Sequence, residues 1–462
     1  MVSGFAEVLW STPVRFGRRR PAIAGVVFCC VCCCLRALGQ SPNKFDEDIR
    51  AYVRNDDFSG SVLVARDGRI LFRKSYGMAN YELSVPNNER TRFHIASVSK
   101  TFTAAAILVL EKQGKLRLTD PLSKWLPDYL NGEKITVEQM LAHRSGLPDY
   151  YSLPEYATKK SQRVMLPDLI AWVKTKPLDF LPGSEFRYSN TGYAFLAYIV
   201  EQVSGKRYEE FVAEELFKPA GMKDSGIFRD DVVIPERASG YQPWVGPQRI
   251  RNAPAYDKTI LIGAASLYST TDDLYAWCRV LQEKKFFDLS KLTYPYGWGQ
   301  GESTAPDGTK RKYFEQDGRV PGFVSHLTMY PEGEPVVVIL GNLEDGAVNR
   351  MAEDLARLAL GEVVTPPSVR TKARPPESSG EYAGRYEVRP GFLIDVKEEG
   401  ADLFLRGTEG DYLPLEPAGK DAFFYRQFYL LVRFQRDKTG KVDRLVWKND
   451  FPCKKVSDKP QP

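Results

Sequence analysis

Residues 95–120 read IASVSKTFTAAAILVLEKQGKLRLTD, a serine-containing hexapeptide that leads directly into an apolar segment. Ser97 and Lys100 are three residues apart, so on a helix the hydroxyl and the amine lie on one face and can touch. Such a contact is one way to activate a serine without a histidine. The alternative is a helix cap followed by a surface lysine. The spacing alone does not decide between the two, because Ser41 and Lys44 share it with no other sign of function.

The composition is typical of a soluble enzyme. The chain has 462 residues, of which 43% are hydrophobic and 27% charged, and this length allows two or three domains. Most of the net charge of +5 comes from residues 1–39, which carry five arginines and one glutamate. The remaining 59 basic and 58 acidic residues nearly cancel, so the sequence predicts no nucleic-acid or other polyanionic partner.

Residues 1–39 have the layout of a secretory signal peptide. The basic segment RFGRRR precedes a 15-residue apolar stretch, PAIAGVVFCCVCCCL, and ALG offers small residues just before Gln40. A membrane-spanning helix needs about 20 apolar residues, so we expect cleavage and export to the periplasm or out of the cell. The alternative is an uncleaved segment that tethers the chain to a membrane.

Signals for a metal or a cofactor are weak. Only Cys278 and Cys453 lie outside the leader, and the three histidines, His94, His143 and His326, show no H-E-x-x-H spacing. We therefore expect two free thiols rather than a disulfide, and neither a metal ion nor a cofactor. For His143 a structural role such as capping a turn is expected.

The order of apolar patterns predicts an α+β fold. GSVLVARDGRILFRKSYG alternates apolar and polar residues around Asp67 and Gly68, which is typical of a hairpin. Residues 120–235 are mostly helical, and the region 318–342 returns to strands with GFVSHLTMYPEGEPVVVILGN. The distant strands can pair into one sheet with the helical block as a second lobe, leaving a cleft between them.

A change of composition near residue 363 predicts a domain boundary. The segment VVTPPSVRTKARPPESS, residues 363–379, contains four prolines and no apolar periodicity, as expected for a linker. Five short alternating runs follow it and predict a small all-β domain, a barrel, over residues 380–456. The predicted order is a main domain over 40–362, the linker and the barrel, and cleavage near residue 370 is expected to release two soluble pieces.

If Ser97 is a nucleophile, another group must take its proton. A histidine triad, a second lysine or a tyrosine of lowered pKa could do so, and the chain lacks the G-x-S-x-G motif typical of one triad class. We favour Tyr188 in LPGSEFRYSNTGYAF, because a nearby lysine ammonium favours the phenolate form. Asn190 carries a donor and an acceptor suited to an amide or ester. Tyr129 and Asn131 repeat this spacing in a Pro- and Gly-flanked turn and are discounted.

Four segments resemble the serine β-lactamase-related hydrolases in consistent order. They are FHIASVSKTFTAAAILVLEKQGKLRLTDPLSKWLPDY, LAHRSGLPDY, PGSEFRYSNTGYAFLAYIVEQVSG and ASLYSTTDDLYAW, and the match spans roughly residues 45–360. That family includes class C β-lactamases, D-alanyl-D-alanine carboxypeptidases, D-aminopeptidases and related esterases. The resemblance implies a penicillin-binding-protein-like antiparallel sheet flanked by helices, a helical lobe and an appended lipocalin-like barrel.

The same resemblance implies roles for individual residues. Ser97 is expected to be the acylated nucleophile and Lys100 its partner in a proton-transfer network. Tyr188 is expected to be the general base, and Asn190 to orient both the substrate and Lys100.

A third motif departs from the family pattern. FEQDGRVPGFVSHL places Gln316, Asp317 and Gly318 where relatives have Lys-Thr-Gly or His-x-Gly. Gln316 can hydrogen-bond a substrate carboxylate but cannot neutralise it, although the neighbouring Arg319 could supply a charge. Gln316, Gly318 and Arg319 are therefore expected to contact substrate, and the backbone N–H groups of Ser97 and Arg319 to form an oxyanion hole.

The sequence thus predicts an exported serine hydrolase that acts on a small-molecule ester, amide or peptide through an acyl-enzyme on Ser97. The first alternative is a non-catalytic or weakly acylating binding or sensor protein on the same scaffold. A second alternative is a histidine-dependent esterase that uses His326.

Overall fold

The computed structural model describes residues 42–244, 249–292, 296–305, 308–331, 335–368, 370, 379–389, 392–407, 412–447 and 451–460. The predicted signal peptide lies outside the described residues, as do residues 371–378 of the predicted linker. Within the described ranges, no helix combines the length and the apolarity that crossing a membrane requires.

The α-helices are numbered in chain order. They are α1 (Pro42–Arg54), α2 (Ser99–Lys112), α3 (Val137–Leu141), α4 (Pro154–Lys159), α5 (Leu166–Lys174), α6 (Asn190–Ser204), α7 (Tyr208–Val212), α8 (Lys218–Ala220), α9 (Thr271–Gln282) and α10 (Ala347–Ala359).

The β-strands follow the same convention. They are β1 (Gly60–Arg66), β2 (Arg69–Tyr76), β3 (Met78–Asn80), β4 (Val85–Pro86), β5 (Phe93–His94), β6 (Gly226–Ile227), β7 (Tyr241–Pro243), β8 (Ile250–Asn252), β9 (Leu267–Ser269), β10 (Gly299–Thr304), β11 (Lys310–Val320), β12 (Phe323–Met329), β13 (Val336–Gly341), β14 (Gly384–Arg389), β15 (Phe392–Glu399), β16 (Asp402–Arg406), β17 (Leu413–Gly419), β18 (Ala422–Tyr425), β19 (Leu430–Arg436), β20 (Val442–Trp447) and β21 (Phe451–Ser457).

Six strands form the central antiparallel sheet in the order β10-β11-β12-β13-β1-β2. The predicted hairpin joins β1 to β2, and its turn places Asp67 and Gly68 at positive φ. Strand β1 also pairs with β13, so that Gly60 lies opposite Gly341. Strands from both ends of the main domain therefore share one sheet, which confirms the predicted α+β fold.

Each face of the sheet buries its own hydrophobic core, because successive side chains of a strand point to opposite sides. On the front face, Leu63 of β1 and Leu327 of β12 pack in the core that contains α2 and the helical lobe. On the rear face, Val62 of β1 and Val324 of β12 pack with α1 and α10. Alternate residues of a strand thus place their side chains in the front core and in the rear core.

Strands β14 to β21 close into an antiparallel barrel of eight strands, with β14 paired to β21. The barrel has a hydrophobic core of its own, to which every second residue contributes on β16 (Leu403 and Leu405) and on β19 (Val432 and Phe434). This closed barrel confirms the predicted all-β C-terminal domain.

A buried charge cluster joins the barrel to the main domain. Arg426, in the turn after β18, is only 2% exposed; its Nε donates to Asp345 Oδ2 at 2.6 Å, and Nη2 lies 3.5 Å from Asp57 Oδ1. Arg370 also donates to Asp57. Burial raises the pKa of Asp57 and of Asp345, whereas the charges of Arg370 and Arg426 lower it. The ionised form of the two carboxyls is therefore stabilised by these arginines. The expectation of two independent soluble pieces does not fit this interface, because separation would strip buried charges of their partners.

Candidate active site

Ser97 lies in a single 3-10 turn, Ala96–Val98, that leads into helix α2. Ala96 has a φ of 46°, a left-handed conformation that costs a non-glycine residue roughly 1–3 kcal/mol. The neighbouring strand supports the turn, since Ser325 Oγ donates to the carbonyl of Ile95 at 2.7 Å. The sheet therefore fixes the strained backbone that carries the candidate nucleophile.

Lys100 is completely buried one helical turn after Ser97. Its Nζ contacts Ser97 Oγ at 3.1 Å, Asn190 Oδ1 at 2.9 Å and the carbonyl oxygen of Ala264 at 2.9 Å. The last two oxygens can only accept hydrogen bonds, whereas the serine hydroxyl can also donate. A neutral amine satisfies all three contacts if its two hydrogens face those oxygens and its lone pair faces Ser97.

Burial makes this neutral amine available near neutral pH. Burial lowers the pKa of Lys100 to about 7, against the opposing influence of the carboxylates of Asp149 and Asp317. At neutral pH a large share of Lys100 is therefore uncharged and able to take a proton from Ser97.

Tyr188 contacts the same serine from the other side. Its hydroxyl donates to Ser97 Oγ at 2.9 Å. Although the residue is 43% exposed, desolvation of the hydroxyl raises the pKa of Tyr188, which keeps the phenol protonated. The expectation that Lys100 promotes a phenolate is therefore wrong. Nζ lies over the Tyr188 ring, 4.7 Å from its centroid, but burial removes much of its charge at neutral pH, and burial of the phenol outweighs the charge that remains.

Asn190 is held in place by Asp149, a residue that sequence reasoning missed. The backbone N–H and the side-chain Nδ2 of Asn190 both donate to Asp149 Oδ2, at 2.8 and 3.0 Å. These two bonds turn Oδ1 of Asn190 towards Lys100. Asp149 lies in LAHRSGLPDY, one of the segments that carried the resemblance, but no motif there marked its carboxylate as functional.

His143 supports the position of Tyr188. Its Nδ1 accepts a hydrogen bond from the backbone N–H of Ser189 at 3.1 Å, and its ring stacks on that of Tyr188 with centroids 4.5 Å apart. Burial, with a contribution from Lys100, lowers the pKa of His143 to about 3, so the ring is neutral. This arrangement agrees with a structural rather than a chemical role.

Strand β11 brings its residues to the two faces of the sheet in alternation. Gly318 pairs with Ser325 on the front face, and a Cβ at Gly318 would lie 2.9 Å from the backbone nitrogen of Ser97. Gln316 shares this face, where its Nε2 donates to the carbonyl oxygen of Asp317. Gly318 is thus brought directly against Ser97, and Gln316 stands two residues away on the same side.

The side chain of Arg319 is not where the sequence analysis expected it. Arg319 pairs with Val324, which belongs to the rear core, so its guanidinium lies behind the sheet and cannot supply charge to a substrate at Ser97. Only the backbone N–H of Arg319 remains a candidate contact on the Ser97 side.

The remaining histidines and cysteines lie outside the Ser97 cluster. His326 lies on the rear face and contacts Asn349 at 3.0 Å and Thr328 at 2.8 Å, which disfavours the histidine-dependent alternative. His94 is buried and contacts the carbonyl oxygen of Ala265. The two cysteines outside the leader are buried free thiols, as expected.

Comparisons with known proteins identify the family of the main domain. Residues 45–362 match the family described as Beta-lactamase, and residues 369–459 match a domain of unknown function, DUF3471. Penicillin-binding protein 4* of Bacillus subtilis (strain 168) is 28% identical over 411 residues, covering 82% of this chain and 90% of that protein.

Solved structures give the same result for the fold. A penicillin-binding protein from Bacillus halodurans superposes with a TM-score of 0.57 and 29% identity, covering 66% of this chain and 97% of the other. A D-amino acid amidase from Ochrobactrum anthropi SV3 superposes with a TM-score of 0.61 and 20% identity, covering 70% and 99%. With the match to residues 45–362, which is more than half its length, this chain belongs to the Beta-lactamase family of penicillin-binding-protein-like serine hydrolases.

Proposed function

We propose that the protein hydrolyses an ester or amide through an acyl-enzyme on Ser97. The observation that carries this proposal is the contact of Ser97 Oγ with a buried lysine whose pKa is about 7. Neutral Lys100 takes the hydroxyl proton while Oγ attacks the substrate carbonyl carbon. This assigns to Lys100 the base role that the sequence analysis gave to Tyr188.

Tyr188 then serves as a proton donor. Its protonated hydroxyl lies 2.9 Å from Ser97 Oγ, within reach of the leaving group of a substrate attacked by that oxygen. As the bond between the carbonyl carbon and the leaving group breaks, the proton taken from Ser97 returns to the leaving group through the network of Lys100 and Tyr188. Water attacks the ester of Ser97 in the second half of the reaction, with the same groups exchanging the proton in reverse.

The oxyanion that develops in each step needs donors close to Ser97. We assign this role to the backbone N–H groups of Ser97 and Arg319, supported by the close approach of Gly318 to the nitrogen of Ser97. Removal of one such donor in other hydrolases costs roughly a hundred- to a thousandfold in rate.

The substrate is proposed to be uncharged at the end that faces β11. Gln316 offers a neutral amide on the front face, and the guanidinium of Arg319 points away. An ester or amide without a carboxylate at that position therefore fits better than one that carries it. Because structural neighbours include a D-amino acid amidase and a D-stereospecific amidohydrolase from Streptomyces, amides of D-amino acids belong in the first substrate panel, beside short-chain esters and a β-lactam.

Labelling with a fluorophosphonate probe tests the nucleophile. The full chain should form a covalent adduct that peptide mapping locates at Ser97, and Ser97→Ala should remove it. Ser41→Ala is the matched control, since Ser41 has a lysine at the same spacing and should leave the adduct unchanged. An adduct that persists at another serine in Ser97→Ala contradicts the assignment.

A binding or sensor protein on the same scaffold is the second candidate. It is favoured by one observation, the neutral Gln316 at the position where the family resemblance implies a cation. Reversible binding of a penicillin or an ester, with neither adduct nor turnover, supports this candidate. A covalent adduct with product release supports the hydrolase.

We also propose that the protein is exported, on the basis of the signal-peptide pattern of residues 1–39. Expression of the full chain in a bacterial host should give an extracytoplasmic product whose first residue is Gln40. Recovery of uncleaved chain from the cytoplasm contradicts this proposal. Recovery of uncleaved chain from washed membranes supports the alternative, in which the N-terminal segment tethers the protein to a membrane.

A further inference from the structure

A cavity of about 460 Å³ lies behind the sheet, on the opposite side from Ser97. Strand β11 and helix α10 form two of its walls, and the turn that follows β18 in the barrel forms a third. Residues from the main domain, the linker region and the barrel all line it, among them Asp317, Arg319, Asn349, Arg350, Thr365 and Gln427. Its volume falls in the range of small-molecule sites, roughly 300–1,000 Å³.

Two opposite charges of β11 line this cavity. Asp317 and Arg319 share the rear face because they are two residues apart, with their cross-strand partners His326 and Val324 on the same side. None of the ion pairs between described residues includes either side chain. Nη1 of Arg319 is shielded from water and has no hydrogen-bond partner within the described part of the chain, a state that costs free energy unless an acceptor is supplied.

A second pair of charges lies across the cavity on α10. Arg350 Nε donates to Asp354 Oδ2 at 3.2 Å, as does the hydroxyl of Tyr52 at 2.9 Å. Oδ1 of Asp354 is buried with no hydrogen-bond partner in the described part of the chain. The cavity therefore presents two cations and two anions, with one buried donor and one buried acceptor left unmatched.

This charge pattern selects the ligand class. A polyanion such as a phosphate ester would be repelled by Asp317 and Asp354, and a polycation would be repelled by Arg319 and Arg350. A group of three or more acidic or histidine side chains able to hold a metal ion is not present among the described residues. A zwitterion satisfies both signs, and side chains two residues apart on a strand start about 7 Å from each other, a span that one small zwitterion can bridge.

We propose that this rear cavity binds a free amino acid, with the ligand carboxylate on Arg319 and the ligand ammonium on Asp317. The site lies directly behind the candidate active site. Asp317 and Arg319 face the rear cavity, and Gly318, which stands between them in β11, packs against Ser97 on the front face of the sheet. The barrel contributes Gln427 to the wall, so the C-terminal domain completes the site.

Calorimetric titration of the full chain tests this proposal, with glycine and both enantiomers of alanine as probes. At least one of these zwitterions should bind, while acetate and ethylamine, which each carry one charge, should bind at least ten times more weakly. Asp317→Asn and Arg319→Gln should each raise the dissociation constant roughly ten- to a hundredfold, as expected for the loss of a charge-assisted hydrogen bond.

Three further variants distinguish binding in the rear cavity from binding at the Ser97 site. Thr365→Trp, at an exposed lining residue, should narrow the cavity and weaken binding at least tenfold without disturbing the core, whereas Thr439→Trp, in an exposed turn of the barrel, should not. Ser97→Ala should bind the amino acid as tightly as the unsubstituted protein. The proposal is overturned if no zwitterion binds, if Thr365→Trp binds unchanged, or if Ser97→Ala loses binding, which would place the ligand at the front.

Discussion

Lys100 takes its reactivity from two opposing influences, burial that removes its charge and the nearby carboxylate of Asp149 that favours it. The isosteric variant Asp149→Asn removes that negative charge, so the pKa of Lys100 should fall further. The pH profile of Ser97 acylation should then shift by about one unit to lower pH. Asp128→Asn, at an exposed carboxylate of the helical lobe, should leave the midpoint unchanged; an unshifted profile in Asp149→Asn would remove Asp149 from the network.

Gln316 is the neutral residue at the position where the family resemblance implies a basic one. Gln316→Lys places an ammonium on the Ser97 face, and an ion pair with a penicillin carboxylate should raise acylation roughly ten- to a hundredfold. A neutral ester should react at nearly the same rate. Gln300→Lys, the same change on exposed strand β10, is the control. If the unsubstituted protein already reacts fast with penicillin and Gln316→Lys brings no gain, another group holds the carboxylate.

The sequence predicted the contacts that follow from local geometry. Ser97 and Lys100 meet because residues three apart share a helix face, and this contact could be predicted before the fold was known. The support of Asn190 by Asp149 joins segments 41 residues apart, and no local pattern shows it. The protonation of Tyr188 was predicted wrongly because its direction depends on desolvation, which only the packed site reveals.

At the level of elements, strand β11 places alternate side chains on the front and on the rear face of the sheet. The alternation was readable from the sequence, but the face that each residue serves depends on its register with β12. For this reason the rear position of the Arg319 side chain was not predicted, and the oxyanion role of the Arg319 backbone stays a prediction.

Gly318→Ala tests the close approach of β11 to the turn that carries Ser97. A Cβ at this position would lie 2.6 Å from the carbonyl oxygen of Ile95 and 2.9 Å from the nitrogen of Ser97, so strand and turn must move apart. We expect the acylation rate to fall at least roughly a hundredfold, as for a lost oxyanion donor, while the protein remains folded by circular dichroism. Gly299→Ala on β10, whose Cβ would lie 3.3 Å from the nearest atom, should retain activity; equal rates in both variants would contradict the predicted geometry.

For the whole molecule, the described contacts make the barrel part of the folded unit rather than an independent appendage. The proline-rich composition of residues 363–379 predicted a boundary, and a closed barrel follows that segment. It did not predict that Arg426 reaches back to Asp345 and Asp57, because a buried ion pair between distant segments leaves no periodic signal in a sequence.

Arg426→Met tests this connection. It removes the cation from two buried carboxyls and should lower the free energy of unfolding by about 3–5 kcal/mol, measured by urea denaturation of the full chain. Arg433→Met, at an exposed position of β19, should change it by less than about 0.5 kcal/mol. Similar stabilities for the two variants would show that the barrel does not depend on the buried cluster.

The pH dependence of Ser97 acylation is the most direct test of the central claim, that neutral Lys100 activates the serine. The rate of probe labelling is measured on the full chain from about pH 5 to about pH 11, with Ser97→Ala as the blank. Because the deprotonated amine is the active form, the rate should rise with pH, pass its midpoint near pH 7 and level off above it. A rate that falls with pH, or that keeps rising until the phenol of Tyr188 ionises, would contradict this account.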